Sequence, residues 1–246
     1  MTTSAPMPWV AGLERDKGLL GRGSTAERVA DILRERVTEG HIPPGTRLSE
    51  EVVGTALGVS RNTLREAFRL LAHERLLVHE LNRGVFVRTL DRDDVVELYR
   101  LRRLVEGAAV REAASAPDRA IEEIRTSVEE GERAAAEQRW PDVATADLHF
   151  HHGIVRLAGS PRLEEFILRV HAELRLAFHV MDDPRRFHAP YLTRNRELLT
   201  ALESRNTQQA ELLLSVYLAD AERQLLRAFD TPGAIQRSSP SGLRSR

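Results

Sequence analysis

One four-residue turn, Gly58-Val59-Ser60-Arg61, constrains the fold of this chain more than any other feature of its sequence. Before the turn, Ser49 can cap a short helix that ends at Gly58. After the turn, Ser60 can cap a second helix. Two short helices joined by a glycine-containing turn form a helix-turn-helix, so the sequence predicts this motif around the turn.

Elements on both sides extend the motif to a winged helix-turn-helix. The segment Ser24–Glu27 is a capping box that can begin an earlier helix, and Gly40 can end that helix. Two β-prone runs, 76–78 and 85–87, follow the second helix of the motif. The residues between them, 79–84, include Asn-Arg-Gly, which supplies the left-handed positions of a hairpin turn. A hairpin at this place in the chain is a wing.

The helix after the turn has one apolar and one polar face. Its apolar stripe consists of Leu64, Ala67, Phe68 and Leu71. The residues off this stripe are Asn62, Arg65, Glu66 and Arg69, and Arg61 lies at its edge. Arginine pairs bidentately with guanine and asparagine with adenine in the major groove of DNA, so the polar face suits base recognition. The formal net charge of the chain is −1, so the attraction must be local, and residues 60–88 contain six Arg against three Glu.

The whole pattern predicts a mainly α fold, with an N-terminal winged helix-turn-helix and a C-terminal all-α helical bundle. The break falls at Thr89–Arg92, because helical periodicity dominates the chain beyond it. We expect a flexible arm over residues 1–22, the winged domain over 23–88, the helical domain over 92–230 and a disordered tail over 231–246.

Composition excludes several classes of site. The chain has no Cys, so it has no disulfide, no thiolate metal site and no cysteine nucleophile. No apolar run approaches the roughly 18 residues that a membrane span needs. The first residues lack the continuous apolar segment of a signal peptide. These features predict a cytoplasmic protein with no membrane partner.

Four polar side chains occupy otherwise apolar stripes of the predicted helices. Asp147 and His151 share a helix face with Phe150, and Asn195 and Tyr217 each lie on a leucine-rich stripe of a later helix. Burying such groups costs free energy unless they are paired, hydrogen-bonded or bound to a metal. We therefore expect them to converge on one cavity inside the helical bundle.

The N-terminal half resembles the GntR family of bacterial regulators. The resemblance is carried by the runs Pro43–Glu50, Leu57–Ala67 and Arg83–Val87, with Thr63 standing where many relatives have Pro. It implies a sequence-specific DNA-binding transcriptional regulator, a repressor, that binds a palindromic double-stranded operator as a homodimer. The DNA-binding residues expected on this basis are Arg47, Ser60, Arg61, Asn62, Thr63, Arg65, Arg69, Arg83 and Gly84.

The C-terminal half is similar to the FCD effector domain of the FadR-like branch of that family. The similar segments are Tyr99–Glu106, Asp147–His151 and Gly159–Leu163. The resemblance implies a small carboxylated effector. We also expect the dimer interface in this domain, because the domain is large and its helices carry apolar stripes. The expected effector-binding residues are Arg102, Asp147, His151, Asn195 and Tyr217.

The same resemblance implies a divalent metal such as zinc, held by one Asp and three His. Asp147 and His151 match two of these ligands, whereas Asn195 and Tyr217 stand where the other two histidines are expected. Because amide and phenol groups are poor ligands for such ions, two arrangements are compatible with the sequence. Either Asp147 and His151 bind a metal, or they form a hydrogen bond with each other inside an apolar core.

The role of Arg102 and the class of the protein each allow more than one interpretation. Arg102 could bind an acidic effector, or it could form a surface salt bridge with Glu106.

An Asp147–His151 pair could serve acid–base catalysis, but the sequence has no nucleophile motif and no phosphate-binding loop, so we expect no enzyme. A winged fold could instead act as a protein-interaction module. Binding to DNA that weakens with salt separates that class from a regulator.

Overall fold

The structure is a computed structural model that describes residues 10–12, 14, 24–181 and 183–230. Of the predicted arm, it covers only residues 10–12 and 14, which are helical, and the predicted tail lies outside the described residues. The described residues divide into two compact units, one that ends at Thr89 and one that begins at Leu90.

Within residues 24–89, the first unit contains three helices and a small sheet. Its elements are α1 (Thr25–Thr38), β1 (Arg47–Leu48), α2 (Glu50–Leu57), α3 (Arg61–His73), β2 (Leu77–Glu80) and β3 (Gly84–Val87). The three strands are antiparallel in the order β1-β3-β2. This is the predicted winged helix-turn-helix, in which β2 and β3 form the wing.

Local signals place the ends of these helices. The Ser24–Glu27 capping box begins α1, and the Ser49 side chain accepts a hydrogen bond from the backbone N–H of Val52 at the start of α2. Gly58 ends α2 in a left-handed conformation, with φ of 67°. A side chain would be strained in this conformation, which explains the glycine at the turn.

The apolar stripe predicted for α3 forms the core of this unit. Leu64, Ala67, Phe68 and Leu71 are fully buried, as are Val29 and Leu33 of α1. Because α1 and α3 bury these faces against each other, the opposite face of α3 remains available to solvent.

The second unit is a helical bundle with six described α-helices. They are α4 (Arg92–Arg111), α5 (Asp118–Ala136), α6 (Trp140–Arg156), α7 (Pro161–Ala177), α8 (Pro184–Glu203) and α9 (Thr207–Phe229). Short 3₁₀ segments, Glu112–Ala114 and Phe178–Val180, follow α4 and α7. The mainly α fold class predicted from the sequence is confirmed. Within the described ranges, no helix is both long enough and apolar enough to span a membrane.

Close packing in this bundle brings polar side chains of several helices together. A Cβ atom added at Gly153 of α6 would lie 2.8 Å from Cγ1 of Ile124 in α5, so glycine lets these two helices approach. Helix α6 also packs against α4, α7 and α8, and α9 packs against α4 and α8. The polar residues on the inner faces of these helices therefore meet in the middle of the bundle.

Candidate DNA interface and buried polar cluster

Helix α3 presents polar side chains to solvent at its N-terminal end. Arg61, Asn62, Arg65 and Arg69 are exposed, and Thr63 is half-buried. The Ser60 hydroxyl accepts a hydrogen bond from the backbone N–H of Thr63 at 3.2 Å and lies 2.9 Å from the Thr63 hydroxyl. The cap therefore orders the first turn of the helix, which is the part of a recognition helix that contacts bases.

The arginines of α3 differ in whether they form an ion pair with a nearby carboxylate. Nε of Arg65 lies 2.9 Å from Oε1 of Glu50, and Nη1 of Arg69 lies 3.3 Å from Oε2 of Glu66. Arg61 has no acidic partner among the residues that the structure describes. Its guanidinium is thus the one that could pair with a base without first leaving a carboxylate.

The sheet places Arg47 of β1 against Gly84 of the wing, and Arg83 precedes Gly84 in the hairpin turn. Asn82 and Gly84 have φ angles of 61° and 113°, which confirms the left-handed positions predicted for the hairpin turn. A Cβ atom added at Gly84 would lie 3.2 Å from Nε of Arg47, so a side chain at this position would press on that guanidinium. Arg83 pairs with Glu80 and is exposed.

A buried carboxylate, Glu106 of α4, organises the first half of a polar cluster in the helical unit. Nε of Arg102 donates to Oε1 of Glu106 at 2.6 Å, and Nδ1 of His151 lies 2.7 Å from Oε2. Nε2 of His171 lies 3.5 Å from Oε1. All four residues are at most 3% exposed. One carboxylate therefore serves one guanidinium and two imidazoles, contributed by α4, α6 and α7.

Burial and charge act in opposite directions on these groups. Burial alone would raise the pKa of Glu106, but Arg102 and His151 hold it well below its usual value. Burial would lower the pKa of Arg102, but Glu106 and neighbouring groups raise it instead. Burial lowers the pKa of His171 to about 4 despite its contact with Glu106, so this imidazole is neutral at neutral pH. The buried Arg102–Glu106 pair is thus fully charged.

Asp147 of α6 organises the second half of the cluster. Its Oδ1 accepts hydrogen bonds from the hydroxyl of Tyr217 at 2.7 Å and from Nδ2 of Asn195 at 2.9 Å. Burial would raise the pKa of Asp147, but His151, His188 and the two hydrogen bonds lower it overall. Burial and the Asp147 charge raise the pKa of Tyr217 well above 10, so the phenol stays protonated.

The ring of His151 joins the two halves. Its centroid lies 4.8 Å from that of Tyr217, and its Nδ1 contacts Glu106. The structure therefore brings together all five predicted effector-binding residues: Arg102, Asp147, His151, Asn195 and Tyr217. We call these five, with Glu106 and His171, the buried polar cluster.

Several of its polar atoms remain unpaired. Four buried atoms of the cluster have no hydrogen-bond partner within the described part of the chain: Nη2 of Arg102, Nε2 of His151, Nδ1 of His171 and Oδ1 of Asn195. A small cavity with space for about one water molecule is lined by Asp147, Asn195 and His188, whose Nδ1 is also unpaired. Unpaired buried polar atoms cost free energy, so the cluster is incomplete without a further group.

Of two pairings considered from the sequence, one is wrong and the other forms in a different environment. The hydrogen bond between Asp147 and His151 does not form, because Glu106 takes Nδ1 of His151, whereas Tyr217 and Asn195 take Asp147. The Arg102–Glu106 ion pair does form, but it is buried rather than on the surface.

Glu106 and His171 were not predicted as members of the cluster. A signal existed for both. Glu106 lies one helical turn after Arg102, between the buried residues Arg102 and Ala109, and His171 follows Ile167 by four residues on the apolar face of α7. In the described ranges, no group of three or more His, Asp or Glu side chains is placed to hold a metal ion.

Comparison with known proteins agrees with this architecture. Residues 25–87 match the gntR family of bacterial regulatory proteins, and residues 97–220 match the FCD domain. A relative from Paenarthrobacter nicotinovorans, named "Probable D-xylose utilization operon transcriptional repressor", is 31% identical over 206 residues, which are 81% of this chain and 88% of the relative.

Two solved structures are also similar. A transcriptional regulator GntR from Rhodococcus sp. RHA1 is 47% identical with a TM-score of 0.79, and the match covers 84% of this chain and 99% of that one. E. coli McbR/YncC shares the fold, with 19% identity and a TM-score of 0.74 over 85% of this chain and 100% of that one. The family resemblance seen in the sequence is confirmed: this chain belongs to the gntR family of bacterial regulatory proteins, as a DNA-binding transcriptional regulator with an FCD domain.

Proposed function

We propose that this chain is a repressor whose affinity for a palindromic operator is set by a small carboxylated metabolite bound in the buried polar cluster. The observation that carries the proposal is the solvent-facing polar side of α3, whose opposite side forms the core of the winged unit. The relatives are named transcriptional regulators and repressors, which implies a non-enzymatic role. A regulator of bacterial transcription meets its DNA in the cytoplasm, and we propose that location.

In this proposal the exposed residues of the winged unit divide the work of DNA binding. Arg61 pairs with guanine and Asn62 with adenine in the major groove. Ser60 and Thr63 contact phosphate at the start of α3. Other arginines of the winged unit contact the DNA backbone or enter the minor groove. Gly84 leaves room in the wing for a close approach to the DNA. The residues that supply or permit these contacts are Arg47, Arg65, Arg69, Arg83 and Gly84.

Arg61→Ala is the first test of this division. Because Arg61 is free of acidic partners within the described residues, its loss should cost about 1–3 kcal/mol of specific binding and relax one base position. Fluorescence anisotropy on a duplex selected from a random pool, and on its scrambled counterpart, measures the change. Arg119→Ala is a matched control, since this substitution removes the same charge from an exposed position on α5, in the other unit. Equal affinities for Arg61→Ala, Arg119→Ala and the wild type would contradict the role of Arg61.

The buried polar cluster is suited to an anionic ligand that also offers hydrogen-bond donors. A carboxylate of the ligand would accept from the unpaired Nη2 of Arg102, which is a charge-assisted hydrogen bond. Donor groups of the ligand would satisfy Oδ1 of Asn195 and Nδ1 of the neutral His171. Six of the seven cluster residues are buried and Asp147 is half-buried, so ligand binding requires the surrounding helices to move. That movement would couple the ligand to DNA affinity.

We also propose that the helical unit forms a homodimer through α4 and α9. A single winged unit buries too little DNA surface for tight specific binding, and a palindromic operator calls for two copies. Helices α4 and α9 are joined by the ion pairs Arg103–Glu222 and Arg111–Glu211, and they expose Leu104, Leu212 and Val216. A second copy would remove these apolar side chains from water.

The dimer is tested by Leu212→Glu combined with Val216→Glu. Two carboxylates in the interface should weaken self-association at least about 100-fold, because each would have to be desolvated on association. Analytical ultracentrifugation at micromolar concentration should then show a monomer. The control is Phe166→Glu with Leu168→Glu on α7, which are also exposed and should leave the dimer intact. A wild-type monomer, free and on DNA, would refute the dimer.

A further inference from the structure

The Asp147 carboxylate occupies the position that the family resemblance assigns to a metal ligand, yet it already accepts two hydrogen bonds. Tyr217 and Asn195 reach the same oxygen, Oδ1, at 2.7 and 2.9 Å. The two donors come from different helices, α9 and α8, and converge on α6. They therefore stand on the side of the carboxylate where further ligands of a shared ion would have to lie.

Neither of these donors can bind an ion in this arrangement. The lone pair of the Asn195 amide nitrogen is delocalised into the carbonyl group, and it is this nitrogen, Nδ2, that faces the carboxylate. The Tyr217 hydroxyl donates its hydrogen to Asp147 at 2.7 Å, so the oxygen that faces Asp147 belongs to a neutral phenol. Transition-metal sites in proteins take deprotonated or neutral nitrogen, sulfur and carboxylate donors.

The remaining donors are too few for a stable zinc site. His151 uses Nδ1 for Glu106, which leaves one unpaired nitrogen, and Asp147 retains one oxygen. His188 lines the cavity beside Asp147, but no three His, Asp or Glu side chains of the described ranges lie where they could share an ion. Catalytic and structural zinc sites use at least three protein ligands. The residues present do not fit a metal.

We infer that Tyr217 and Asn195 take the place of a metal ion in this domain. Their two hydrogen bonds compensate the charge of Asp147 and tie α6, α8 and α9 together, a task that a shared ion would otherwise perform. The helical unit therefore folds without a metal, and it binds its effector without one. Only the statement about the effector rests on the proposed function, so the experiment that tests the inference uses no effector.

The first arm of the test uses the wild-type chain. Metal analysis of protein purified without a chelator should find far less than one equivalent of any transition metal. Thermal melting should be the same in buffer, in EDTA and in excess zinc chloride, because a ligand that does not bind the folded state cannot stabilise it. One bound equivalent, together with a melting temperature that falls in EDTA, would overturn the inference.

The second arm converts the site. Asn195→His with Tyr217→His replaces both hydrogen-bond donors by imidazoles beside Asp147 and His151. If the pair occupies the place of a metal, this variant should bind zinc and melt roughly 5–10 °C higher at zinc concentrations about 100-fold above its Kd. Adding Asp147→Ala to the variant should abolish the zinc effect.

The two arms remain informative if the variant is unstable. Should the double variant fail to fold without zinc, recovery of its helical circular dichroism on adding zinc is the equivalent readout, and failure to recover would count against the inference. A folded variant that ignores zinc would also overturn it. DNA binding by the same preparations, measured by anisotropy, separately reports on the proposed function.

Discussion

Glu106→Ala is expected to destabilise the helical unit by about 3–5 kcal/mol, because it leaves a buried guanidinium without its counter-charge. Arg102 is 2% exposed, and within the described chain Glu106 is its ion-pair partner. The same substitution removes the hydrogen-bond partner of His151. Urea unfolding followed by circular dichroism measures the loss in the free energy of unfolding.

The matched control for this prediction is Glu211→Ala. The Arg111–Glu211 pair has the same 2.6 Å distance as Arg102–Glu106, but both of its side chains are about half exposed. Exposed ion pairs contribute about 0–1 kcal/mol, so this variant should unfold near the wild-type midpoint. An equal loss of stability in Glu106→Ala and Glu211→Ala would contradict the prediction, because it would show that burial does not increase the contribution of the Arg102–Glu106 pair to stability.

The second large effect is a loss of stability in mild acid. His171 and His188 are 3% and 2% exposed, and burial lowers the pKa of each to about 4 from its ordinary value of 6.5. Between these two values the unfolded chain binds protons that the folded chain excludes, so stability falls as pH drops from 6.5 towards 4. Each histidine should contribute a loss of about 3 kcal/mol over this range.

The charged groups around His171 and His188 either add to this loss of stability in acid or offset only part of it. Glu106 lies beside His171 and Asp147 lies near His188; both carboxylates attract protons to the imidazoles, whereas Arg102 and Arg175 repel them. The pKa values of Glu106 and Asp147 are themselves lowered, so their contributions are lost on acidification as well, once the pH falls below their ordinary values. Glu106 and Asp147 therefore do not reverse the fall in stability on acidification.

Urea midpoints measured in a series of buffers from pH 6.5 down to pH 4 check this prediction. His188→Phe should reduce the drop by about 3 kcal/mol, since Phe178 and Phe187 already pack on this ring and the replacement cannot be protonated. His149→Ala, which removes an exposed histidine, is the control for the loss of an imidazole elsewhere in the same unit. Stability that is flat over the range would show that His171 and His188 titrate normally.

Much of the winged unit was predictable because its signals are local. Capping residues such as Ser60, the left-handed Gly58 and the hairpin residues Asn82 and Gly84 each act on neighbours within a few positions in the chain. The apolar stripe of α3 followed from helical periodicity alone. The ion pair of Arg65 with Glu50 did not, because it joins two helices whose relative rotation depends on packing.

The buried polar cluster was predictable in most of its members but not in its pairing. Asp147, Asn195 and Tyr217 lie on apolar helix stripes, which indicates that their side chains face the core. The structure brings these three into contact. Periodicity cannot show which partner each one meets, since that depends on how several helices pack. For this reason the contact of His151 with Glu106, 45 residues away in sequence, emerged only from the fold.

The central claim, that this chain reads an operator through α3 under the control of a carboxylated ligand, is tested most directly by one anisotropy titration. The selected duplex and a scrambled duplex are titrated over a range of salt concentrations, with and without the organic acid that most raises the melting temperature of the helical unit. We predict binding at least about 1,000-fold tighter to the selected duplex, affinity that falls steeply with salt, and a change of roughly 5–150-fold on adding the acid. Equal affinity for both duplexes, or no binding at any salt concentration, would contradict the claim.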